Sequence, residues 1–194
     1  AAGISLYASS LYAQSTYEIR GGDILKDGCV WEGRGCNRIG GLSDNMFTDW
    51  NMDLIRFCID MKKSVHSDSY LKAAVEKARQ HDAVIILAAF WYDNADLGGG
   101  TNWKPAQLLS SIPTKDRRFN IVVQRWKEIA EMFKNQSDVW FNVWNEPYWW
   151  DGSHGYSEDQ WEEDCRALID PIRETGADNI VVFAFESHNY RWSA

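Results

Sequence analysis

Five nearly continuous apolar, β-rich runs constrain this chain more than any other feature: Arg34–Ile39, Leu54–Ile59, Val84–Phe90, Val139–Trp144 and Ile180–Phe185. A strand that is apolar without alternation is buried on both faces, which is the condition of a parallel sheet covered by helices. Three intervening segments supply such helices. Leu71, Ala74, Val75 and Ala78 share one face before the third run. Val122, Val123, Trp126, Ile129, Ala130 and Phe133 do so before the fourth, and Trp161, Cys165, Leu168, Ile169 and Ile172 before the fifth. Spacings of three and four residues mark amphipathic helices. The last helix is expected to open with Ser157 and Gln160, a capping-box pair, and to stop at Gly176. The helix between the first two runs is poorly marked. Ahead of them all, Tyr17–Val30 (YEIRGGDILKDGCV) reads as two short extended runs around Lys26-Asp27-Gly28, a hairpin whose Asp-Gly favours a tight turn.

Strands alternating with helices at this rhythm give an α/β fold with right-handed crossovers. A doubly wound sheet usually carries a glycine-rich phosphate turn after its first strand, and Gly33-Arg34-Gly35 is not one. Gly98-Gly99-Gly100 lies in a long loop, Asp93 to Asn120, with no helix opening directly after it; it reads as a substrate-side loop. The expected architecture is therefore of the (β/α)8 TIM-barrel type, here about its first five strands behind an N-terminal β-hairpin, in one domain spanning 17–194.

Composition narrows the partners. The formal net charge is −8, which repels phosphate backbones and anionic membranes, so neither nucleic acid nor lipid is an expected partner. No segment approaches the apolar length of a membrane span. The four cysteines (Cys29, Cys36, Cys58, Cys165) show no metal-ligand spacing; bridges and buried free thiols both remain open, and no metal or cofactor is expected. Eleven tryptophans are many for 194 residues. Most are expected to fill a core, and the rest offer flat faces on which sugar rings stack. Residues 1–16, small and apolar through Tyr12-Ala13-Gln14, read as a signal-peptide remnant or tail, which makes the expected location extracellular.

The sharpest motif is Trp144-Asn145-Glu146-Pro147, at the end of the fourth run. In a barrel, residues at the C-terminal strand ends face the active site. Pro147 cannot continue a central ladder, so the strand stops there and Glu146 falls at the rim. A carboxyl walled by Trp144, Trp149 and Trp150 loses solvation. Its pKa should rise, as suits a proton donor near neutral pH, although a rim glutamate in a surface ion pair would fit three residues equally well.

This stretch resembles the Asn-Glu-Pro signature of glycoside hydrolase family 5, the cellulase and mannanase family, and the likeness extends along the chain. Tyr17–Asn37 resembles the family's opening hairpin and Arg-Gly-x-Asn first strand, Met52–Ile59 its second strand, and Ala83–Leu87 its third. Ile172–Ser193 resembles its fourth helix and fifth strand, with the Trp-Ser that follows. The resemblance implies a retaining glycosidase acting on β-1,4-linked polysaccharide, with cellulose or β-glucan ahead of mannan. Glu146 would be the proton donor and later the base that activates water. Asn145 would bind the sugar 2-hydroxyl, Arg56 would hold the nucleophile ionised and oriented, and Trp192 and Trp91 would line sugar subsites. Arg56 as a buried ion-pair partner, and either tryptophan as core, are the plainer alternatives.

Two departures from the family pattern stand out. The histidine usual near the end of the third strand is missing from Ala88-Ala89-Phe90-Trp91-Tyr92, and Tyr92 is its candidate replacement. The family's nucleophile belongs to the seventh strand, and His188-Asn189-Tyr190 follows the fifth strand too closely to be the His-x-Tyr pair of the sixth. Three expectations follow: the chain is a truncated enzyme; or two chains associate across their open sheet edges to complete a barrel; or Glu186, at the end of the fifth strand, is a substitute nucleophile, with Asp93 the other nearby carboxylate. The competing function is a non-catalytic half-barrel that binds polysaccharide or oligosaccharide.

Overall fold

The computed structural model describes residues 14–91, 117–145 and 158–183, apart from the side chains of Trp91, Arg117, Arg118 and Glu158. The chain opens with an antiparallel sheet of β1 (Tyr17–Arg20), β2 (Asp23–Lys26) and β3 (Cys29–Val30). The hairpin expected from the sequence thus gains a strand, because Gly21-Gly22 makes a second turn beside Asp27-Gly28. Asp27 and Gly28 have φ of 51° and 81°. Two successive positive φ values define the turn whose twist matches paired strands, and Asp-Gly is a favoured pair for it.

The main sheet has the order β4-β5-β6-β7-β8 and is parallel throughout. Its strands are β4 (Gly35–Arg38), β5 (Leu54–Asp60), β6 (Val84–Trp91), β7 (Val139–Asn142) and β8 (Val181–Val182). Between them run α1 (Asp44–Thr48), α2 (Asp68–Arg79), α3 (Arg117–Phe133) and α4 (Glu158–Glu174). The sheet therefore has the expected sequential parallel order. The weakly marked first helix is only five residues long, yet it buries Met46 and Phe47. The end of α4 lies at Thr175-Gly176, as expected; Ser157, its expected cap, lies outside the described residues.

Strand alternation sorts the core into two parts. Ile55, Phe57 and Ile59 of β5, Ile85 and Leu87 of β6, and Phe141 of β7 pack against the buried faces of the helices, with Leu71, Trp126 and Leu168. The opposite side chains, Leu54, Val84, Ile86, Trp140, Ile180 and Val182, face the concave side of the sheet. There they meet the N-terminal sheet. The rings of Tyr17, Trp31 and Trp140 form a mutually edge-on trio with centroids 5.2, 5.9 and 6.0 Å apart. This cluster closes the end of the sheet where the strands begin and leaves polar side chains to the end where they finish.

Two local features set strand positions. A Cβ at Gly35 would lie 1.7 Å from the Leu54 carbonyl oxygen, so only glycine lets β4 approach β5 there. At the far end, Ile59 pairs with Ala89 but Asp60 with Trp91, which makes Phe90 the extra residue of a bulge in β6. Bulges re-aim side chains at barrel rims. The Phe90 ring comes to 6.0 Å from the Arg56 guanidinium. All four cysteines are free thiols. No described helix is long and apolar enough to cross a membrane.

Candidate active site

Arg56, Cys58 and Asp60 project from β5 on the face opposite Phe57 and Ile59, toward the concave side. Arg56 is in register with Asn37 of β4 and Ile86 of β6, two residues before the level of Ala88 and Asn142. Its side chain reaches two strands across. Ala88 offers only a methyl group on the way, which leaves room for the guanidinium above β6.

Three amide oxygens receive that guanidinium. Nη1 donates to Asn37 Oδ1 at 3.1 Å, Nε to Asn142 Oδ1 at 3.0 Å and Nη2 to Asn145 Oδ1 at 2.7 Å; Nη2 also donates to Asn142 Oδ1. A guanidinium only donates, so each of these side chains must turn its oxygen to Arg56. Asn145 is 8% exposed, and its backbone N–H donates to the Ala89 carbonyl at 2.8 Å. The residue before Glu146 is thus fixed both by its backbone and by its side-chain oxygen. The remaining polar group of its side chain, the amide NH2 at Nδ2, is a donor suited to a hydroxyl.

Sequence reasoning missed Asn142, a member of this constellation, and Asp60, a second buried polar residue farther along the same face of β5. Asp60 is 1% exposed, accepts the Lys62 N–H at 2.8 Å, and donates its own N–H to His66 Nδ1 at 2.7 Å. Period-two spacing along Arg56-Phe57-Cys58-Ile59-Asp60 was the available signal. Asn142 lay hidden inside an apolar run. The pKa of the Cys58 thiol is pushed up by burial, against the pull of Arg56, so it stays protonated beside that cation.

The other expected site residues divide clearly. Trp144, expected as a wall for the acid, is fully buried in the helix-side core and offers no open face. Trp126, Trp140 and Trp161 are likewise core. Trp91 ends β6 opposite Asp60, while its side chain, with Glu146, Trp149, Trp150, Tyr92, Asp93, Glu186, His188 and Trp192, lies outside the described residues. Two clefts of about 270 and 450 Å³ are lined in part by Asp53 and His81 and by Lys63 and Glu128, and neither includes Arg56.

Residues 40–193 match the model of the cellulase family, glycosyl hydrolase family 5. Among solved structures, a cellulase, Cel5C_n, superposes with a TM-score of 0.65 at 15% identity, over 89% of this chain and 54% of that one. A GH5 cellulase from an Icelandic hot spring isolate gives 0.60 at 18% identity, over 92% and 54%. The catalytic domain of Thermobifida fusca endoglucanase Cel5A, in complex with cellotetraose, gives 0.60 at 15% identity, over 89% and 55%. The chain therefore spans about half the length of these structures, whose likeness carries the partial TIM-barrel fold. No curated protein matches the chain in sequence.

Proposed function

The chain belongs to the cellulase family, glycosyl hydrolase family 5, and on that premise we propose that it carries the acid/base half of a retaining glycosidase cleaving β-1,4-linked glucan outside the cell. The activity is that of a whole barrel, of which this chain spans about half. The observation that carries the reading is the grip of Asn37, Asn142 and Asn145 on Arg56 at the strand ends, immediately before Glu146 in the chain. Barrel enzymes build their sites at that end.

In this reading Glu146 protonates the glycosidic oxygen as a second carboxylate attacks the anomeric carbon. It then takes a proton from the water that releases the sugar. Arg56 stabilises the ionised nucleophile, since a nearby cation favours the charged carboxylate. Asn145, its oxygen held by Arg56, donates through Nδ2 to the 2-hydroxyl, a contact that strengthens in the transition state. Cello-oligosaccharides are the first substrates to try, because one superposing endoglucanase is in complex with cellotetraose.

The test is Glu146→Gln, which keeps the shape and removes the proton. In the full-length enzyme, turnover of cello-oligosaccharides should fall about 10²–10⁴-fold. An aryl cellobioside with a good leaving group should lose less in its first step. Equal loss on both would remove Glu146 as the acid. Binding without any turnover by the wild type would replace the enzyme by a carbohydrate-binding barrel.

A further inference from the structure

Asn142 has both of its polar groups committed. Its Oδ1 accepts from Nε and Nη2 of Arg56, and its Nδ2 donates to the carbonyls of Val182 at 3.0 Å and Trp144 at 3.3 Å. The side chain is 1% exposed, in register between Ala88 of β6 and Val182 of β8. On one side stands a group that only donates, on the other two that only accept. An amide satisfies both; a carboxylate lacks the donor and an alkyl group lacks everything.

Two consequences follow from this geometry. The first is mechanical: Arg56 is tied through one side chain to β8 and to the carbonyl two residues before Glu146. The second is electrostatic: an amide oxygen orients a cation without adding a negative charge beside it. Resting on the glycosidase reading above, we propose that Asn142 is a positioning residue of the hydrolysis. Acting through Arg56, it fixes the guanidinium at the strand ends and adds no charge to oppose the stabilisation of the nucleophile. It touches neither substrate nor reacting atoms.

Among the described residues, the titratable side chains on this face are Arg56, Cys58 and Asp60 of β5 and, packed against it from the N-terminal sheet, Tyr17, whose pKa burial raises further. Asn37 of β4, Ile86, Ala88 and Phe90 of β6, Asn145 and Val182 contribute none. A carboxylate in place of Asn142 would oppose the field of Arg56 and raise the pKa of the nucleophile.

The test follows kcat/KM for an aryl β-cellobioside against pH in the full-length wild type, Asn142→Asp and Asn142→Ala, with thermal melting alongside. In Asn142→Asp the acid limb should move up by about one pH unit. In Asn142→Ala, which carries the test if the aspartate variant does not fold, kcat should fall about 10²-fold while KM stays within about twofold, the signature of a misplaced group. An acid limb that coincides with the wild type, or a loss of melting temperature with kcat unchanged in Asn142→Ala, overturns the proposal while leaving the glycosidase reading intact. A wild type that hydrolyses no β-glucoside overturns both.

Discussion

At the scale of single residues, His66 shows how the strand ends couple to protonation. Its Nδ1 accepts the Asp60 N–H, which only a neutral ring can do, and its ring stacks on Tyr70 at 4.7 Å. Burial first, then the charge of Arg125, hold its pKa below the usual histidine value of 6.5. The unfolded chain takes up the proton before the folded one does. The contribution of His66 is therefore whole above about pH 6.5 and is lost as pH falls through the lower folded-state value. His66→Asn keeps an acceptor in the place of Nδ1 and removes the titration. Urea midpoints should drop more between pH 7 and 5.5 in the wild type than in this variant, and parallel curves would contradict the assignment. Legibility at this scale depended on context. Arg56 and Asn145 stood in motifs and could be read directly. Asn142 stood inside an apolar strand, where a lone polar residue acquires meaning only once Arg56 is seen to reach across β6.

Among the elements, the pairing of β4 with β5 is the most exposed to a single change. Gly35→Ala would drive a methyl group into the Leu54 carbonyl, at 1.7 Å without relaxation. Over-packing of this kind costs about 1–3 kcal/mol, and more where backbone must move. The variant should lose at least that much in urea unfolding, and it should weaken the Asn37 contact to Arg56 carried by the same strand. A wild-type midpoint would show that the edge strand yields freely. The long strands and helices were readable because period two and period three-to-four recur over enough residues to be unambiguous. The five-residue α1 has too little length for a period, and the second turn at Gly21-Gly22 sits within what reads as one extended run. A position after the last strand residue does not reveal which way the chain turns, and the full burial of Trp144 places it with Trp126 and Phe141.

Across the whole molecule, the polar and apolar ends of the sheet divide the labour of the fold. Tyr17, Trp31 and Trp140 close the end where strands begin, so the concave side opens toward the strand ends that hold Arg56, Asn142 and Asn145. That polarity could be foreseen from the order of elements, since parallel strands present all their C-terminal ends on one side. The site itself could be foreseen only in part, because its described members are scattered from residue 37 to residue 145 and meet through register rather than through any local pattern. In the proposed double displacement, two inversions restore the configuration at the anomeric carbon. Proton NMR of a cello-oligosaccharide digest by the full-length enzyme, recorded before mutarotation, reads that outcome directly. Double displacement predicts that the β-anomer of the new reducing end appears first and that the α-anomer grows in only later; initial release of the α-anomer would contradict it.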